Sequence, residues 1–361
     1  MRPGRPTSLR VRRPRGAVSL ASPGLWAIAT QHGTRGVRIR LDGQRLGVLL
    51  AAYVSGAACT GAMLKLDSRS MSEVSPAMYR AGSGEPVVLL HGFTAAWRIW
   101  HPILADLVAR YEVIAPTLPG HHGGPSYPAD QPMTFARSTD AVEGLLDELG
   151  VGTAHFVGNS MGGGIALELA KRGRARSVVA LAPAGGWSRG DGEGPRIGRF
   201  FAKQIKMLER THAWSERIMR RPGTRRLAFR EIMRHGELVS PADAAEISQA
   251  ALHCSISRRA IQALLADEAG LAIGDLDRIV CPVLLATPQF DRVLPGPRNA
   301  PRYRREIPGV EAIALPDCGH APMWDDTKLV TKLIVEQVDR TLGHSPDGQV
   351  DMSSQSAPVG A

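Results

Sequence analysis

From residue 79 onward, short and almost unbroken apolar runs alternate with stretches whose apolar positions recur every three to four residues. The runs are "PVVLLHG" (86–92), "YEVIAPTLPG" (111–120), "AHFVGNS" (154–160), "SVVALAP" (177–183), "PVLLATPQFD" (282–291) and "VEAIALPDCGH" (310–320). Each is too short for a helix, rich in Val, Ile and Leu, and closed by Gly, Pro, Asp or Ser, so each reads as a strand buried on both faces. The intervening stretches, about 97–109, 135–149, 161–172, 298–306 and 324–342, read as helices. This alternation predicts an α/β fold, a mostly parallel sheet flanked by helices. No internal repeat interrupts it.

One interval departs from the alternation. Between Pro183 and Val280 the pattern is helical throughout, with candidate helices at 198–214, 223–236 and 240–256. The last begins well, with Ser240 as cap and Pro241 at the first helical position. An insertion between two late strands lies above the carboxyl ends of the sheet, where open α/β sheets bind ligands. Residues 185–275 are therefore expected to form a helical cap, with its arginines on a solvated face.

The candidate chemistry sits at the strand ends. "GNSMG" carries a G-x-S-x-G pattern at a strand-to-helix junction, the setting of a nucleophile elbow. Ser160 would stand clear of the sheet on a tight turn, and the helix from Met161 would aim its first amides at developing negative charge. A serine hydroxyl needs a base, and the base needs an orienting acid. His320, in the loop "PDCGHAP", and Asp291, in "PQFDRVLP", follow Ser160 in the expected order and lie on loops at the same sheet edge. Asp191, after the preceding strand, is the alternative acid; Asp317 is too near His320 along the chain. The backbone N–H groups of Met161 and Phe93 are the candidate oxyanion donors. His91 is expected to hold its loop through backbone bonds. Trp97, Trp100 and Trp187 are candidates for an apolar substrate pocket, although Trp97 and Trp100 also suit the core of the first helix. His121-His122 lack further ligand spacing, so no metal and no cofactor is expected.

The motifs "LLHGF", "APTLPGH", "VGNSMGG", "FDRVLP" and "CGHAPMWDD", spread over about residues 79–342, resemble the α/β-hydrolase fold superfamily. Within it they are similar to the single-domain serine esterases, non-haem perhydrolases and carbon–carbon bond hydrolases. The resemblance implies Ser160, Asp291 and His320 as a triad, with Phe93 and Met161 forming the oxyanion hole. Serine at the elbow argues against the epoxide hydrolases and haloalkane dehalogenases of the superfamily, in which aspartate is expected. "GNSMGG" is shared with the carbon–carbon bond hydrolases, but "HGFTAAW" departs from their glycine-rich continuation. The expected activity is hydrolysis of a carboxylic ester through an acyl-enzyme, with carbon–carbon bond hydrolysis by the same residues as the alternative. A non-catalytic binding protein on this fold would be expected to have lost Ser160 or His320, and both are present.

Charge changes the picture only at the amino terminus. The 361 residues carry a formal net charge of +10, and residues 1–70, with 12 Lys and Arg against 2 acids, account for all of it. The body is balanced and gives no reason to expect nucleic acid as a partner. The basic segment is expected to be a disordered extension, and residues 344–361 a disordered tail. The chain is expected to be cytoplasmic, with export or membrane anchoring through the amino-terminal segment, where the weakly apolar run 46–64 lies, as the alternative. Met63 and Met71 are plausible alternative starts. Cys59, Cys254, Cys281 and Cys318 show no ligand or disulfide spacing and read as free thiols. The expected partner is a small ester or related acyl substrate.

Overall fold

The computed structural model describes residues 73–343 and two short segments before them. The chain divides into two compact units, Met1–Leu66 and Asp67–Ala361. In the first, β1 (Trp26–Ile28) and β2 (Arg38–Arg40) pair antiparallel. The rest of the basic extension, including the run 46–64, Cys59, Met63 and Met71, lies outside the described residues, as does the tail 344–361.

The second unit is built on one sheet. Its strands are β3 (Glu73–Val74), β4 (Met78–Ala81), β5 (Pro86–Leu90), β6 (Glu112–Pro116), β7 (Ala154–Asn159), β8 (Ala175–Leu181), β9 (Val283–Pro288) and β10 (Glu311–Leu315). They lie in the order β10-β9-β8-β7-β5-β6-β4-β3. The six strands expected from the apolar runs are the six parallel ones, whereas β3 and β4 form an antiparallel edge. That edge has no apolar run to announce it: β4 is "MYRA", with Tyr79 and Arg80 only half-buried.

Helices α1 (His101–Val108), α2 (Phe135–Glu148) and α3 (Met161–Lys171) connect the first parallel strands. Between β8 and β9 lie α4 (Glu193–Thr211), α5 (Ser215–Met219), α6 (Pro222–Phe229), α7 (Pro241–Leu252) and α8 (Ser257–Leu265). The chain continues through α9 (Gly296–Glu306), α10 (Pro322–Asp325) and α11 (Thr327–Thr341).

Strand side chains alternate between the two faces, and each face has its own core. Val87, Leu89, Val157, Val179 and Leu181 pack with α1 and α11. Val88, Leu90, Phe156, Val178 and Ala180 pack with α2, α3 and α9. The long run expected as one helix over 240–256 is instead broken between α7 and α8. Ser240 caps α7 by accepting from Asp243 N at 3.1 Å. The break is set from outside: Ser255 donates both N–H and Oγ–H to Gly120 O, each at 2.9 Å, and so ties the chain to the loop after β6. The stretch expected to be helical over 223–236 likewise stops at Phe229, and Ile232–His235 bond instead to Ala321 N–H, beside His320, and to the Asp325 carboxylate at the end of α10.

Candidate active site

Strand β7 ends at Asn159 and α3 begins at Met161, leaving Ser160 alone at the turn with φ +54° and ψ −117°. A serine in that region is strained and must be held there by its surroundings. Ser160 N donates to Leu181 O at 3.0 Å, and Ser160 O accepts from Gly164 N at 3.1 Å and Ala184 N at 2.9 Å. The glycines permit this packing by lacking a Cβ. One on Gly158 would fall 2.2 Å from Gly162 O, and one on Gly162 only 2.0 Å from Leu90 O. One on Gly164 would meet Phe135 at 2.4 Å. The start of α3 is thus wedged against the ends of β5 and β7.

Asp291 and His320 come from the loops after β9 and β10. Asp291 is buried; its Oδ2 lies 2.8 Å from His320 Nδ1, and its Oδ1 accepts from Val293 N and Leu294 N, both at 2.8 Å. Two amides therefore fix the carboxylate, and the remaining oxygen orients the imidazole. With Nδ1–H donated to Asp291, Nε2 carries the lone pair. Asp191 is elsewhere: its carboxylate accepts from Ser188 N at 2.7 Å and Glu193 N at 2.9 Å at the start of α4. Asp317 pairs with Arg234 and His235, not with His320. Those two partners hold its carboxyl below the usual range.

Two positioning groups, Asn159 in "VGNSMGG" and Asp325 in "CGHAPMWDD", have roles that the sequence pattern does not assign. Asn159 donates Nδ2–H to Leu181 O at 3.2 Å and to His320 O at 2.8 Å, tying the His320 loop to the residue before Ser160. Asp325 accepts from Gly319 N at 2.7 Å, His235 N at 2.8 Å and Arg234 N at 2.9 Å. Burial pushes the Asp325 carboxyl up, against the pull of those amides. Both residues act through backbone groups that come together only in the fold.

Ser160, Met161, Phe93 and Trp187 line one small cavity of about 80 Å³. Phe135, Ile197, Phe201 and Leu294 complete much of its wall. Its polar side chains are Thr134, Ser138 and Ser160; no charged side chain of the described residues lines it. Phe93 N–H makes no hydrogen bond among the described residues. Met161 N–H belongs to the first turn of α3, where amides lack intrahelical partners. Trp97 and Trp100 do not line the cavity. They are buried in the core between the sheet and α1, Trp97 donating its Nε1–H to Ser75 O at 2.8 Å. Their spacing fits both roles, and the inward face of the α1 turn claims them.

His91 braces the Phe93 loop: Nδ1–H donates to Gly92 O at 2.8 Å and Nε2 accepts from Leu118 N at 2.9 Å. Burial, and then the neighbouring His121, hold its pKa well below the ordinary value. Cys254, Cys281 and Cys318 are free. Among the described residues no group of three or more His, Cys, Asp or Glu is arranged to hold a metal ion.

Comparison with known proteins places this geometry in context. The model of the alpha/beta hydrolase family matches residues 87–332. The chain is 33% identical over 214 residues to epoxide hydrolase EphH of Mycobacterium tuberculosis, covering 59% of this chain and 98% of that protein. It is 32% identical over 132 residues to 2-hydroxy-6-oxo-6-phenylhexa-2,4-dienoate hydrolase of Burkholderia cepacia, covering 35% of this chain and 46% of that one. Among solved structures, a thermophilic esterase from Thermogutta terrifontis superposes with a TM-score of 0.55 at 24% identity, covering 73% of this chain and 93% of its own.

Proposed function

The chain belongs to the alpha/beta hydrolase family, and from that premise we propose that it is a serine esterase acting on uncharged, apolar carboxylic esters through an acyl-enzyme. The observation that carries this reading is the 2.8 Å bond from His320 to a buried Asp291, on a loop tied to the residue before a strained Ser160. Ser160 Oγ attacks the acyl carbon while His320 Nε2 takes its proton. The N–H groups of Phe93 and Met161 receive the developing oxyanion. His320 returns the proton to the leaving alcohol, then removes one from water as it attacks the acyl carbon, and passes that proton to Ser160 Oγ as the acyl bond breaks and the acid is freed. Asp291 holds the tautomer and stabilises the imidazolium.

The cavity supports a neutral acyl group over the carbon–carbon reading. A dienoate substrate carries a carboxylate, and burying it without a cation is costly. No Lys or Arg among the described residues lines this cavity. The name of the Mycobacterium relative favours a second reading, epoxide opening. Attack by Ser160 on an epoxide carbon would leave an ether with no carbonyl for water to attack, so this nucleophile favours acyl transfer.

The test is a fluorophosphonate probe with a panel of nitrophenyl esters, styrene oxide and the phenylhexadienoate. Wild type should be labelled and turn over the esters. Ser160→Ala should lose the label and about 10⁴–10⁶ in kcat while keeping the fold. Turnover of the oxide or dienoate without the esters would replace this reading, as would wild-type-like activity of Ser160→Ala.

A further inference from the structure

Helix α4 turns one side to the cavity, where Ile197 and Phe201 sit one turn apart. Its other side carries a row of cations. Arg199, Lys203, Lys206 and Arg210 recur at intervals of four, three and four residues, which at about 3.6 residues per turn aligns them on one face, away from Ile197 and Phe201. All four are exposed, and none forms an ion pair among the described residues. Glu209, the one acid near the row on α4, turns to Arg258 at 3.7 Å. Met207 beside the row is 47% exposed, and Trp214 in the turn after α4 is 70% exposed. Residues 199–230 hold 10 Lys and Arg against Glu209 and Glu216, a net of +8, although residues 71–361 as a whole are balanced.

Like charges three and four residues apart repel along a helix, so this row does not stabilise α4 by itself. An anionic surface relieves the repulsion, and an exposed Trp four residues along the chain from Arg210 suits the boundary between headgroups and acyl chains. We propose that the row on α4, together with Trp214, is a docking surface for an anionic lipid bilayer. The contact is made by residues 199–214, none of which belongs to the run 46–64. Docking would set the wall of the cavity beside the lipid phase, so that apolar esters dissolved there are the substrates within reach. That consequence rests on the esterase reading; the docking does not.

The test uses the full chain, because residues 1–70 carry their own net charge of +10 and must act equally in every variant. Sedimentation is measured with vesicles of phosphatidylcholine alone and with phosphatidylglycerol added. Wild type should partition strongly to the anionic vesicles, less so as salt is raised. Lys203→Glu/Lys206→Glu/Arg210→Glu should weaken that partition by roughly 100-fold or more, each lost cation being worth on the order of fivefold and each new acid adding repulsion. Trp214→Ala should weaken it severalfold, and Ser160→Ala, with its nucleophile gone, should bind like wild type. Melting temperatures check the fold, and the corresponding triple Gln variant should fall in the same direction where charge reversal unfolds the chain. Equal vesicle binding by folded wild-type and triple-variant chains would assign the contact to the extension and overturn the proposal. Equal wild-type partition to both vesicle types would overturn it too, as would loss of single-stranded DNA binding in the triple variant with vesicle binding intact.

Discussion

Asp291 shows how a single side chain is committed by its surroundings. Both carboxylate oxygens are engaged, one by the amides of Val293 and Leu294 and the other by His320 Nδ1. Asp291→Asn keeps the shape but presents an amide that favours the wrong imidazole tautomer. We expect a loss on the order of 10⁴ in kcat with the fold retained, measured on the best ester of the panel. Asp191→Asn is the matched control. Its carboxylate serves two amides at the entry to α4 and never meets His320, so kcat should change little. A large loss in Asp191→Asn with a near-neutral Asp291→Asn would transfer the role of acid to the earlier loop.

Among the elements, α2 and α3 make opposite uses of glycine. Gly144 is an exposed interior residue of α2, and a Cβ there would meet nothing within 4 Å. Gly144→Ala should stabilise the protein by about 0.5–1 kcal/mol by removing backbone freedom from the unfolded chain. Gly162 occupies the first turn of α3, where a Cβ would lie 2.0 Å from Leu90 O, a backbone atom that cannot move aside cheaply. Gly162→Ala should destabilise by about 3 kcal/mol and push α3 away from β5, so activity should fall with stability. Urea unfolding of the two variants beside wild type measures both signs. A stabilising Gly162→Ala would mean that α3 does not need this close approach.

For the whole molecule, pH reports on two buried histidines behind the loop of Phe93. Burial holds His121 down at about 4 and His91 well below 6.5. Unfolded, both titrate near 6.5, so below that pH the unfolded chain binds more protons than the native one. Stability therefore falls as pH drops through the interval between the unfolded and folded values. For His121 alone the loss between pH 7 and pH 5 is about 2 kcal/mol, and His91 adds in the same direction. Protonation of His91 would also displace Leu118 N–H from Nε2, loosening the loop that carries Phe93. Urea midpoints at the two pH values should show the fall, and His121→Gln should reduce it. A flat profile in wild type would mean that these rings are solvated.

The sequence by itself determined the parallel strands, the helices between them and the turn at Ser160, because apolar periodicity and glycine spacing are local properties of the chain. It also put Asp291 and His320 on loops at one sheet edge, since strands that alternate with helices in a parallel sheet end on the same side. The sequence order favoured Asp291 over Asp191, and the tertiary structure brings Asp291 to the imidazole while the loop of Asp191 turns its carboxylate to the amides at the start of α4. The tertiary structure ended α6 and α7 early, through bonds from Ile232–His235 to Ala321 N–H and the Asp325 carboxylate and from Ser255 to Gly120 O, distant groups that no local pattern encodes. It sent Trp97 and Trp100 to the core and Trp187 to the cavity, a choice made by which face of the sheet each element covers. And it turned the apolar side of α4, with Ile197 and Phe201, to the cavity and left the cations exposed, since spacing along a helix aligns a row but does not say what the opposite side packs against.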